Sequence, residues 1–142
     1  MIDQAKPLFA FGTLLDADVL QHVCAETMQN VHLQPAILPG HIQRYVSNEL
    51  FPALVKDSAL HARGALIHGL NNTMLQRIKD YEGDFLYKLT DIVVLVDDNV
   101  EQACQYFEFL GSVDVSDKTW DLAQWQALHK AQWMQMLRSE LY

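Results

Sequence analysis

The sequence predicts an α+β fold, a small mixed and strongly curved sheet or barrel with flanking helices. Three observations carry that prediction. The element order is β-α, then strands, a short helix, a hairpin and a closing helix, which lacks the regular alternation of a doubly wound sheet. The strand-like runs are short and punctuated by glycine and proline. Half of the 142 residues are hydrophobic, enough for one domain with a real core.

Leu8-Phe9-Ala10-Phe11 is a short apolar run suited to a buried strand, and it leads directly into Gly12-Thr13-Leu14-Leu15. Asp16 then caps a predicted helix over residues 17–25, with Val19, Leu20 and Val23 on one face. Residues 31–46 read as irregular strand, broken by Pro35 and by Pro39-Gly40. Phe51-Pro52-Ala53-Leu54-Val55 reads as a second short strand, on an edge or starting at its proline. Gly64 to Leu70 reads as another, its glycines marking a bulge or a close backbone approach.

Asn72 is placed to cap a helix that carries Met74, Leu75, Ile78 and Tyr81 at helical spacing. Gly83 is expected to end it in the left-handed conformation, which puts Glu82 at the helix C-terminus. Leu89–Val96 and Glu101–Phe109 are β-forming runs around the turn Asp97-Asp98-Asn99, a predicted hairpin. From Asp121, in a capping-box-like Asp121-x-x-Gln124, one amphipathic helix with Trp125, Leu128, Gln132 and Met136 is expected to cover the sheet. With no internal repeat or linker, residues 1–142 read as a single domain.

The net charge of −8, with no Lys/Arg cluster, repels phosphate backbones and argues against nucleic acid as a partner. No apolar run approaches the roughly 20 residues that a membrane-spanning helix needs. Met1 to Pro7 lacks the basic start and apolar stretch of an export signal, so the cytoplasm is the expected location. Cys24 and Cys104 form no Cys-x-x-Cys pair and read as small, reduced, buried hydrophobes. His22, His32, His41, His61, His68 and His129 show no His-x-x-x-His or His-Glu pairing, and Asp97-Asp98 is a turn rather than a metal loop, so no metal is expected. Trp120, Trp125 and Trp133 lie in a helical context and read as packing residues rather than a stacking patch.

Two local features carry chemistry. A carboxylate at a helix C-terminus faces the negative end of the helix dipole, and burial there raises its pKa further. Glu82 is therefore a candidate general base near neutral pH, although a solvated last-turn glutamate has the same local sequence. The glycine turn after the first strand exposes N–H groups that can hold a carboxylate or an oxyanion. An ordinary strand-to-helix turn looks the same from sequence.

Phe9-Ala10-Phe11-Gly12-Thr13-Leu14 resembles the Tyr-Gly-Ser/Thr-Leu motif of the gamma-glutamylcyclotransferase-like superfamily, in its AIG2-like branch. Phe51-Pro52-Ala53-Leu54-Val55, Gly64-Ala65-Leu66 and Gly69-Leu70 resemble that family's "Tyr-Pro-Ala-Leu … Val-x-Gly-x-Leu" stretch. Tyr81-Glu82-Gly83 followed by Tyr87 resembles its "Tyr-Glu-Gly … Tyr" stretch, and order and spacing agree over most of residues 8–110. The resemblance implies an enzyme without metal or organic cofactor, acting on a small-molecule gamma-glutamyl substrate and releasing 5-oxoproline and an amine. It implies Glu82 as proton acceptor and Phe11, Gly12, Thr13 and Leu14 as the backbone substrate cradle, with Tyr87 beside them. The family usually has tyrosine where this chain has Phe11, and often an arginine shortly after the tyrosine at Tyr87, where this chain continues Lys88-Leu89. Two other readings stand beside the enzyme. One is a non-catalytic small-ligand-binding protein that keeps the pocket. The other is an interaction domain that uses the tryptophan-rich helix.

Overall fold

The structure is a computed structural model that describes residues 6–83, 87–110 and 114–139; the leader reading at Met1–Ala5 lies outside the described residues. Among the described residues, six strands and four α-helices follow in the order β1 (Leu8–Ala10), a 3-10 turn (Thr13–Leu15), α1 (Ala17–Cys24), β2 (His32–Val46), β3 (Pro52–His68), α2 (Asn72–Glu82), β4 (Tyr87–Val96), β5 (Val100–Phe109), β6 (Val115–Thr119), α3 (Leu122–Leu128) and α4 (Lys130–Ser139). The strand order is β3-β1-β5-β4-β2-β6, and β2 also pairs with β3. That extra pairing closes the sheet on itself, which removes exposed edges from the ring. Only β1 and β5 run parallel; the other pairs are antiparallel. The predicted curved α+β barrel with flanking helices is the fold observed.

Strand periodicity sorts the core into two parts. On β1, Phe9 joins Ala36, Leu38, Ala62, Leu66, Val94, Val96 and Cys104, all from strands, to fill the barrel. Leu8 and Ala10 face the other way and join Val19, Leu20 and Val23 of α1, Ile78 of α2, Phe107 of β5 and Leu137 of α4. Trp120 and Trp125 are fully buried in this outer layer, and both cysteines are buried and unpaired. Among the described residues no helix is long and apolar enough to cross a membrane.

Several predicted boundaries are corrected. Residues 32–46 form one continuous strand: Pro35 keeps a regular register partner, Ala65, and the irregularity at Pro39-Gly40 is a register shift between Pro39 and His41, with Gly40 at φ +75°. The two short strands at residues 51–55 and 64–70 are the ends of one 17-residue strand. In its middle only Lys56 and His61 have register partners on β2, residues 57–60 bulge out between them, and the stretch is largely solvent-facing, so it carries no core periodicity. Asn71, not Asn72, caps α2 by accepting from the Met74 N–H at 2.8 Å. Gly83 ends α2 at positive φ (94°), but its ψ of 119° lies outside the left-handed helical region. The closing helix is two helices, broken at His129. The break lets Lys130 turn back to reach Asp16 and Asp18 on the first helix. The edge strand β6 pairs with β2 and was not expected, because Val115-Ser116-Asp117-Lys118-Thr119 is mostly polar.

Candidate active site

The first strand ends where the chain must leave the barrel, and the sequence supplies a turn there that needs a glycine. A Cβ on Gly12 would lie 3.1 Å from the Pro52 ring, so the absent side chain lets Pro52 sit against the turn. The 3-10 turn is closed by Leu15 N–H to the Gly12 carbonyl (3.0 Å) and Asp16 N–H to the Thr13 carbonyl (3.1 Å). Its opening N–H groups, those of Gly12, Thr13 and Leu14, have no acceptor within the helix.

Asp16 anchors the far end of this turn. Its buried carboxylate accepts from the N–H groups of Asp18 (2.9 Å) and Val19 (3.0 Å), from Gln126 Nε2 (2.9 Å), and pairs with Lys130 Nζ at 3.0 Å. Burial alone would raise its pKa, but the hydrogen bonds from Gln126, Lys130 and Val19, with the Lys130 charge, hold it below the ordinary aspartate value.

The turn forms one wall of a cavity of about 520 Å³, a volume typical of small-molecule sites. All six sequence-predicted site residues, Phe11, Gly12, Thr13, Leu14, Glu82 and Tyr87, line this cavity. Glu82 is the last residue of α2 and keeps some accessible surface. That surface faces the cavity rather than open solvent, so its carboxyl is still desolvated, and burial pushes its pKa up to about 7. Within the described residues its carboxylate accepts no hydrogen bond, and no lysine, arginine or histidine lines the cavity. Burial, then the nearby charges of Glu82 and Glu49, raise the Tyr87 phenol well above its usual value.

Sequence reasoning missed three features of the site. Tyr81 was read as a helix-face residue. Its hydroxyl lies 2.7 Å from Thr13 Oγ1 and accepts from Trp133 Nε1 at 3.0 Å, joining the glycine turn, the end of α2 and α4. Trp133 was read as a packing residue, yet it lines the cavity together with Phe51 and Pro52. Glu49 also lines it, and nothing in its local sequence marks it. The signal available for Tyr81 was its place in the Tyr81-Glu82-Gly83 stretch.

The Phe11 ring packs on the barrel cluster, with centroids 6.3 Å from Phe9 and 6.5 Å from Tyr106. Among the described residues the histidines, cysteines and carboxylates form no group with metal-ligand spacing. The cavity brings together a carboxylate poised near neutral pH and the backbone of the glycine turn.

A family model described as gamma-glutamyl cyclotransferase, AIG2-like, matches residues 8–127. The chain is 22% identical over 136 residues to AIG2-like protein A of Arabidopsis thaliana, covering 95% of this chain and 81% of that protein. Its fold is similar to the solution structure of an Arabidopsis thaliana protein, with a TM-score of 0.66, 20% identity, and 96% and 90% of the two chains covered. It is equally similar to a structure described as gamma-glutamyl cyclotransferase, with a TM-score of 0.66, 10% identity, and 96% and 88% covered.

Proposed function

The chain belongs to the gamma-glutamyl cyclotransferase, AIG2-like family, and we propose that it cyclises a gamma-glutamyl amine or gamma-glutamyl amino acid to 5-oxoproline with release of the amine. The observation that carries this reading is the placement of Glu82, desolvated and titrating at about 7, in the cavity walled by the Gly12 turn.

The reaction is an intramolecular acyl transfer. The substrate's α-ammonium must first lose a proton, and the Glu82 carboxylate takes it. The amine attacks the γ-carbonyl carbon, forming the ring C–N bond. Nucleophile and electrophile are tethered, so the cavity need only hold the curled conformer. The tetrahedral oxyanion collapses, the original C–N bond breaks, and protonated Glu82 gives its proton to the leaving nitrogen. The ring nitrogen, NH2+ after the attack, loses its second proton to the regenerated Glu82 carboxylate, which passes it to the released amine, so that the lactam leaves neutral. No water is consumed. With no cationic side chain among the described residues of the lining, the substrate carboxylate or oxyanion falls to the N–H groups of the turn. The phenyl ring of Phe11 packs on the barrel cluster, so the missing phenol need not cost a substrate contact.

The test is incubation with a panel of gamma-glutamyl compounds, with 5-oxoproline read by mass spectrometry. The predicted kcat/KM rises with pH through about 7, as the free-enzyme Glu82 ionises, and then levels. A compound that binds stably and is recovered unchanged, with no 5-oxoproline from any member of the panel, points instead to a binding protein that retains the pocket.

A further inference from the structure

Gln43 is a polar side chain buried in β2 that the proposed reaction does not use. Its Nε2 donates to the Phe11 carbonyl at 3.1 Å and to the Arg63 carbonyl at 2.7 Å. Both acceptors are backbone oxygens, so only the NH2 end of the amide can face them, and both of its hydrogens are committed. Gln43 does not line the Glu82 cavity. It lines a second one, of about 530 Å³, walled also by Leu15, Pro35, Arg63 and Trp120. It therefore meets the Phe11–Gly12 peptide from the wall of this second cavity, not from the lining that holds Glu82.

That peptide is trans, so its C=O and N–H point in opposite directions. A Phe11 carbonyl held toward Gln43 aims the Gly12 N–H the other way, into the cavity that Phe11 and Gly12 both line. The Gly12 N–H meets no acceptor among the described residues. Glycine tolerates either orientation of the preceding peptide, so the turn by itself does not choose between presenting an N–H and presenting a carbonyl. A carbonyl there would repel an anion.

We propose that Gln43 is the positioning residue of the site: it fixes the Phe11–Gly12 peptide so that the Gly12 N–H is presented as a donor to the substrate carboxylate or the oxyanion. The identity of that anion rests on the cyclotransferase reading; the orientation of the donor does not. The second bond, to Arg63, ties Gln43 to β3 one residue from Gly64. A Cβ on Gly64 would collide with the Ala10 carbonyl and the Phe9 ring, so this glycine lets β1 lie close to β3, with the Phe11 carbonyl in reach of Gln43.

The test is to follow the Gly12 amide resonance of 15N-labelled protein during titration with sodium acetate and, separately, with 5-oxoproline. In the wild type the Gly12 amide is expected to shift with both carboxylates. In Gln43→Leu, or Gln43→Met with its closer shape match, that response is lost or needs about tenfold more ligand, as expected for one hydrogen-bond donor removed. KM rises in the same variants while the pH midpoint of turnover stays in place, which a merely loosened fold would not produce. A wild-type Gly12 amide that ignores both carboxylates overturns the proposal whether or not either variant folds. So does an equal response in wild type and variants. A Gly12 response to acetate without 5-oxoproline from any gamma-glutamyl compound supports the donor assignment and overturns the cyclotransferase reading alone.

Discussion

Asp16 and Glu82 are two carboxylates withdrawn from open solvent at opposite kinds of helix end, and the fold treats them in opposite ways. Asp16 sits before the first turn of α1, where orphan N–H groups and the positive end of the dipole stabilise its charge. Gln126 and Lys130 complete its shell, and its pKa falls despite burial. Glu82 closes α2, where the backbone offers carbonyls rather than N–H groups, and no side chain of the described residues compensates. Its pKa rises to about 7. Burial alone does not make a carboxylate chemically useful. What decides is whether the fold supplies donors to the ionised form. A fully partnered acid is a strut. An unpartnered one holds its proton loosely near neutral pH.

The two acids also pull stability in opposite directions with pH. The Asp16 contribution is present above its ordinary unfolded value of 3.8 and is lost as pH falls through its lower folded value. The Glu82 contribution is present below 4.5 and is lost as pH rises from there to about 7, because the folded chain must give up a proton it holds more tightly than the unfolded chain does.

The largest expected effect comes from removing the unpartnered acid. Glu82→Gln should lower kcat by about 10²- to 10⁴-fold, the range for loss of a general base. Its thermal midpoint above pH 7 should hold or rise, because a neutral amide replaces a desolvated charge. Mass-spectrometric assay and calorimetry on one preparation check both. Asp16→Ala should do the reverse. Loss of the helix cap and of a buried ion-pair partner should cost about 2–4 kcal/mol in urea denaturation. The pH midpoint of its residual activity should stay where it is in the wild type. Gly64→Ala tests the support behind the turn. Its methyl would meet backbone, so a destabilisation of about 1–3 kcal/mol is expected, with a rise in KM as β1 is pushed from β3. Phe11→Tyr should matter least. With the ring packed on the barrel cluster, kcat/KM should stay within about threefold of the wild type. A larger gain would assign the family's usual phenol a part in the reaction.

The regions that were legible in the sequence are those where local pattern and tertiary role coincide. Leu8–Phe11 into Gly12, the Asp16 cap, Glu82 at a helix end and the hairpin around Asp97–Asn99 are all decided by neighbours in the chain. The β2–β3 ribbon was misread because its middle faces solvent, so nothing in Lys56–His61 signals the strand that joins its two apolar ends. The break at His129 goes with a contact of Lys130 to Asp16 and Asp18, more than a hundred residues away, that no local pattern announces. Gln43 illustrates the limit best. Between Ile42 and Arg44 it is an ordinary strand residue, and only closure of the barrel brings its amide to the Phe11 carbonyl. The proposed base and donors could be read from motifs; the residue proposed to aim a donor could not.

The most direct test of this account is a side-chain 13C NMR titration of the Glu82 carboxyl, with Asp16 as the internal contrast. The account predicts a Glu82 midpoint at about 7, with Asp16 ionised throughout and titrating below its ordinary value. A Glu82 midpoint near the ordinary 4.5 would contradict it, because the carboxyl would then be solvated and too weak a base for the proposed proton transfer.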